Sequence, residues 1–110
     1  MRTRFAVPSA AFFLAALLAS APLIAQADQQ VTIDQHMFMP ATITVHPGEK
    51  VTWVNKDEDV HNVTSDDQGR SFRTPLLDTG ESATLTFASP GTFRYHCSVH
   101  PDMTGTVIVK

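Results

Sequence analysis

Near its C-terminal end the chain places a thiol, an imidazole and a thioether within seven residues, Cys97-Ser98-Val99-His100-Pro101-Asp102-Met103. Cys97 is the only cysteine, and a second imidazole, His61, lies 36 residues upstream just before an apolar run. Two imidazoles, one thiolate and one weak thioether form the donor set that selects copper in electron-transfer sites. The thiolate holds Cu(I), the imidazoles suit either oxidation state, and a long axial sulfur leaves the metal between the geometries each state prefers. Donors at i, i+3 and i+6 can wrap one ion while His61 reaches in from a neighbouring strand. Four protein donors leave no open position for a substrate, unlike a catalytic metal site. The pattern therefore predicts a carrier, not an enzyme, holding one copper ion per chain through His61, Cys97, His100 and Met103.

The residues that precede this pattern predict where the protein works. Arg2 and Arg4 form a short basic start, an apolar stretch runs from Phe5 to Ile24, and Ala25-Gln26-Ala27 offers small residues where signal peptidase reads. Residues 1–27 are expected to be a cleaved secretory signal and residues 28–110 the mature domain, exported to a bacterial periplasm and free of the membrane after cleavage. The apolar run approaches the roughly 20 residues of a membrane span, but Pro22 and the Ala-x-Ala pattern favour cleavage. A lone cysteine in an oxidising compartment calls for a reason, and metal ligation supplies one.

The mature part keeps six of the eight basic residues and all eleven acidic ones, a formal charge of −5. That acidity argues against nucleic acid as a partner and suits docking to basic protein surfaces. A single small domain, acting as a monomer, is expected at this length.

Period-2 alternation rich in Val, Ile, Thr and aromatics runs through residues 31–33, 43–45, 51–54, 61–64, 83–87, 92–97 and 106–109. Turn chemistry separates these runs, at Pro40, His46-Pro47-Gly48-Glu49, Asn55-Lys56-Asp57, Asp78-Thr79-Gly80 and Ser89-Pro90-Gly91. Seven or eight short strands predict an all-β, two-sheet β-sandwich. Residues 66–77 show no period and are expected to form a long connection crossing between sheets. Cys97 should end a strand, with His100 and Met103 in a loop before a final strand at 104–109.

The stretch from Gly91 through His96-Cys97-Ser98-Val99-His100-Pro101-Asp102-Met103 to Val107 resembles the C-terminal copper loop of the cupredoxins, of the amicyanin and plastocyanin-like kind. Pro47-Gly48-Glu49-Lys50-Val51-Thr52-Trp53-Val54-Asn55, followed by His61-Asn62-Val63, is similar to the other half of the family pattern. The resemblance covers nearly all of residues 31–110. It implies a Greek-key β-sandwich with a type 1 copper site, and a hydrogen-bonding role for Asn62 in steadying the ligand loop near the thiolate. Many relatives have Pro where this chain has Val60. The acidic run Asp57-Glu58-Asp59 beside the site should favour Cu(II), against solvent screening. Ser98 stands where multicopper enzymes place a histidine that bridges to a second copper centre.

The expected function is one-electron transfer between periplasmic redox partners, docking through the apolar surface around His100 and Pro101. The alternative is copper binding for tolerance or delivery, with copper-handling proteins as partners. Other histidines and aromatics have plainer expectations. His96 should point to the face opposite Cys97, His46 should be exposed in its turn, and Trp53, Phe93 and Tyr95 should pack in the core. His36-Met37-Phe38-Met39 offers donors for a weak Cu(I) site, but reads better as a strand with methionine filling the core and His36 at its edge.

Overall fold

The computed structural model describes residues 28–110, so the expected signal segment lies outside the described residues. Eight strands form among the described residues: β1 (Gln29–Asp34), β2 (Met37–Met39), β3 (Thr42–Val45), β4 (Glu49–Asn55), β5 (Thr64–Ser65), β6 (Ser82–Phe87), β7 (Gly91–Cys97) and β8 (His100–Val109). They make two four-stranded sheets, ordered β2-β1-β4-β6 and β3-β8-β7-β5. β1 runs parallel to β4 and β3 parallel to β8, while the remaining pairs are antiparallel. The chain passes repeatedly from one sheet to the other, giving the all-β two-sheet sandwich that the strand count predicts, with the Greek-key arrangement that the resemblance implies.

Alternation decides which side chains meet between the sheets. Val31 and Ile33 of β1, Val51 and Trp53 of β4, Ile43 and Val45 of β3, Tyr95 of β7 and Val107 and Val109 of β8 are all buried. Trp53 donates its indole N–H to the Tyr95 hydroxyl at 3.1 Å, joining β4 of one sheet to β7 of the other. Burial pushes the Tyr95 phenol up to about 12, against the opposing pull of the Trp53 hydrogen bond. Gly105 of β8 pairs with Tyr95, and a methyl group at that glycine would come within 2.3 Å of the tyrosine ring. The phenol therefore occupies the room a side chain at 105 would take.

Three expectations need correction. Residues 61–64 do not form a full strand: His61 makes only an isolated bridge with Leu77, and pairing as a strand is confined to β5. Residues 66–77 do lie on the connection from β5 of one sheet to β6 of the other, as expected, and on the way they fold back along residues 61–65. Phe72 accepts from the Ser65 N–H, Val63 accepts from Thr74, and Leu77 exchanges both backbone hydrogen bonds with His61. This ribbon satisfies backbone groups that would otherwise be buried unpaired.

The second correction concerns the ligand loop. Cys97 pairs directly with His100, so only Ser98 and Val99 form the turn, and His100 and Met103 belong to β8. Pro101 fits there because β3 pairs with β8 only from Thr106 onward, so its missing N–H removes no bond to that neighbour. Finally, the methionines of β2 are not core filler. Phe38 points inward while Met37 and Met39 are exposed, as the strand's period of two requires once the aromatic ring takes the core position.

Candidate metal centre

Each donor is delivered by a different backbone device. Cys97 is the last residue of β7 and fully buried, with a register shift between His96 and Cys97. His100 opens β8 across the two-residue turn. His61 is held by its pair of backbone hydrogen bonds to Leu77, at 3.2 and 2.8 Å, and is fully buried. Met103 lies three residues further along β8, buried in the same core cluster as Cys97.

The donor atoms converge. Cys97 Sγ lies 3.8 Å from His61 Nδ1 and 3.7 Å from His100 Nδ1, and the two Nδ1 atoms are 3.1 Å apart. A point equidistant from all three would stand about 2.1 Å from each, within the roughly 2.0–2.3 Å reach of metal bonds to imidazole nitrogen and thiolate sulfur. A trigonal N, N, S set beside a buried thioether suits copper in particular. The residues present therefore fit the group that their types suggest.

Surrounding groups fix how these donors face. Asp57 Oδ2 accepts from His61 Nε2 at 2.9 Å, which assigns the ring proton to Nε2 and leaves the Nδ1 lone pair directed at Cys97. The same oxygen accepts from the His36 backbone N–H at 3.0 Å. That bond and the one from His61 lower the Asp57 carboxyl to about 2, so the group is an anion at any neutral pH. Asn55, buried at the end of β4, shapes this turn: its amide donates to the carbonyls of Asp59 and Leu77, and its carbonyl accepts from the Asp57 N–H.

On the sulfur side, the backbone N–H of Asn62 points at Cys97 Sγ at 3.4 Å. The Asn62 side chain accepts from the Ser98 N–H at 2.8 Å and from the Thr64 hydroxyl at 3.3 Å, and donates to the Thr74 carbonyl. Asn62 thus ties the segment carrying His61 to the turn between Cys97 and His100. A donor aimed at the sulfur stabilises negative charge there, and such hydrogen bonding tunes a metal's potential alongside the ligands themselves.

His96 turns away from Cys97 and bonds Asp66 at 2.7 Å, and His46 is exposed, both as expected. Two neighbours of the donors are not legible as such in the sequence. Asp57 reads in the sequence only as charge, although its place four residues before His61 is the available signal. His36 was expected at a strand edge, yet its ring packs on those of His100 and His61, with centroids 4.4 and 5.0 Å away. The separation of 25 residues along the chain between His36 and His61 hides that contact.

A family model for the cupredoxin-like domain matches residues 8–109. The amicyanin-alpha of Methylorubrum extorquens is 31% identical over 114 residues, covering 96% of this chain and 96% of the relative. The plastocyanin of Scenedesmus fuscus is 33% identical over 85 residues, covering 67% of this chain and 87% of that protein. A reduced Cu(I) form of an amicyanin variant, solved at pH 4, superposes with a TM-score of 0.68 at 31% identity, covering 79% of this chain and 86% of its own. With its Greek-key sandwich and its converging imidazole and thiolate donors, this chain belongs to the cupredoxin-like family.

Proposed function

We propose that this protein is a type 1 copper protein that carries single electrons between partner proteins, with His61, Cys97, His100 and Met103 holding the ion. The observation that carries the reading is the convergence of Cys97 Sγ with two imidazole Nδ1 atoms at 3.7 and 3.8 Å. Bound copper supplies a one-electron Cu(I)/Cu(II) couple. The chain's own residues supply a preset frame. His61 is locked by Asp57 and by Leu77, the thiolate is met by the Asn62 N–H, and His100 is placed by a two-residue turn. Donors held by strand ends and hydrogen bonds need little rearrangement between oxidation states, and small rearrangement favours fast outer-sphere transfer.

Burial favours a shuttle over a metal donor, since His61 and Cys97 are closed off from solvent and only His100 is partly exposed. Val60, Leu76 and Val99 are exposed large apolar residues. Val60 and Val99 immediately precede His61 and His100, and Leu76 precedes the residue bridged to His61. This patch, beside the acidic turn of residues 57–59, suits a redox partner with an apolar contact surface and a basic rim. The same reading places the protein in the periplasm as a monomer without enzymatic activity, its residues 1–27 being a removed export signal. The basic, apolar and Ala-x-Ala pattern supports that export, and no helix among the described residues is long and apolar enough to cross a membrane.

Cu(II) titration of the purified protein, followed by visible absorption and EPR, tests the assignment. An intense thiolate-to-copper band saturating at one ion per chain and absent in Cys97→Ser is the expected result. A folded protein without that band would overturn it. Fast electron self-exchange, measured by NMR line broadening in mixtures of both oxidation states, would then favour the shuttle over a copper-delivery role.

A further inference from the structure

A second group of donors lies outside the buried set and shares a member with it. His36 Nε2 lies 2.6 Å from Asp59 Oδ2, and both side chains are about half exposed, at 47% and 59%. Ligand atoms of His36, Asp59 and His100 fall within 4.8 Å of one another, as do those of His36, Asp57 and His61. The ligand atoms of the inner trio, His61, Cys97 and His100, also lie within 4.8 Å of one another. Three donor sets therefore overlap, grading from exposed at His36 and Asp59 to buried at His61 and Cys97.

The backbone holds His36 in place against its ordinary preference. Asp34 pairs with Met37 across a two-residue loop, and both loop residues, Gln35 and His36, take positive φ, 52° and 56°. Tight hairpins require that left-handed geometry, and most side chains resist it. The carboxylate of Asp57 receives the His36 N–H, so the residue that orients His61 also anchors the hairpin tip carrying His36. The imidazole is thereby laid against His100, with its own Nε2 turned to Asp59.

Donor chemistry changes along this gradient. An imidazole and a carboxylate suit a hydrated divalent ion, whereas a thiolate is the soft donor. We propose that His36 and Asp59 form an outer metal-binding station that takes a Cu(II) ion from solution, with His100 as third donor, and passes it to the inner site. His100 belongs to both sets and so remains a donor while His36 and Asp59 give way to His61 and Cys97. The thiol releases one proton to solvent as its sulfur binds the ion, and the copper stays Cu(II) throughout, so no electron moves. This inference rests on the inner site being the copper site proposed above.

Loading kinetics test it. Metal-free protein is mixed with Cu(II) in a stopped-flow instrument, and growth of the thiolate-to-copper band is followed at fixed ionic strength. His36→Asn keeps a residue that tolerates positive φ, and Asp59→Asn keeps the shape while removing the anion. Each should slow loading by about tenfold or more, the scale on which outer partners alter metal binding, while the final band intensity is unchanged. Glu58→Gln removes the same charge from the same turn without touching either donor set, and should load at the parental rate. Parental rates in both His36→Asn and Asp59→Asn would overturn the proposal. Equal slowing in Glu58→Gln and Asp59→Asn would overturn it too, showing that the acidic field and not ligation guides the ion. A parent protein that develops no band at any copper concentration would instead remove the copper site itself.

Discussion

Asp57 and His61 form a pair in which one carboxylate sets the direction of one imidazole: Asp57 Oδ2 accepts the hydrogen bond from Nε2–H at 2.9 Å, and Nδ1 is left facing the Cys97 sulfur. Asn at position 57 can present an amide N–H as readily as a carbonyl, and it carries no charge to hold the proton on Nε2. Asp57→Asn is expected to weaken copper binding by about ten- to a hundredfold, the range for partners that orient a metal-ligating histidine. Competition with a chelator of known affinity measures it, and parental affinity would mean that the backbone alone orients His61.

Asn62→Ala removes the acceptor of the Ser98 N–H and the partner of Thr64 in a buried setting. A buried donor left without a partner costs about 1–3 kcal/mol. Urea unfolding of the metal-free protein should show a loss of that size. The copper-bound variant should also show a broader thiolate-to-copper band, because the turn between Cys97 and His100 loses its tie to the His61 segment.

Gly105→Ala places a methyl group 2.3 Å from the Tyr95 ring. The tyrosine must then move, and its hydrogen bond with Trp53 goes with it. Overpacking of a filled core costs about 1–3 kcal/mol, occasionally more. A denaturation midpoint equal to the parent's would show that Tyr95 has room to shift. Gly105→Ala combined with Tyr95→Phe should recover part of the loss, since the hydroxyl is one of the two closest contacts.

Asp67 accepts hydrogen bonds from the hydroxyls of Ser65 and Ser71 and, at 3.1 Å, from the Ser71 N–H. These bonds, led by the Ser65 hydroxyl, hold its carboxyl well below the usual carboxylate range. The folded state thus binds this proton less readily than the unfolded state, so the contribution is complete above pH about 4 and fades as the solution becomes more acid. Asp67→Asn should flatten the acid limb of a stability-versus-pH curve below that point and leave its shape above pH 5 unchanged. An acid limb identical to the parent's would assign the acid sensitivity to other carboxylates.

The frame and the donors were legible for different reasons. Strands such as 51–54 and 92–97 announce themselves because alternate residues face one core, and that period survives in the sequence. Cys97, His100 and Met103 are legible by type and spacing, and His61 by its place before an apolar run. The partners of those donors were hidden because they sit in turns, where no period operates. Asp57 acts through a turn that Asn55 organises, and His36 through a hairpin tip 25 residues upstream of His61. The return of residues 66–77 onto residues 61–65 was hidden too, since it rests on isolated bridges and a serine hydroxyl that accepts two backbone N–H groups. The period of two is legible only from residue 106 onward, so His100 and Met103 read as loop residues; the pairing of Cys97 with His100 places them in β8.

The hydrogen bond between Trp53 and Tyr95 has a practical side. The chain contains one tryptophan and one tyrosine, and they touch across the gap between the sheets, 5.4 Å between ring centroids. Native ultraviolet emission therefore comes from a single indole whose N–H is bonded to the opposite layer, two residues from the thiol in sequence on that side. Any event that parts the two layers, whether heat, denaturant or a damaged core, must change that indole's surroundings. The protein carries its own optical gauge of sandwich closure, and it needs no dye and no introduced label.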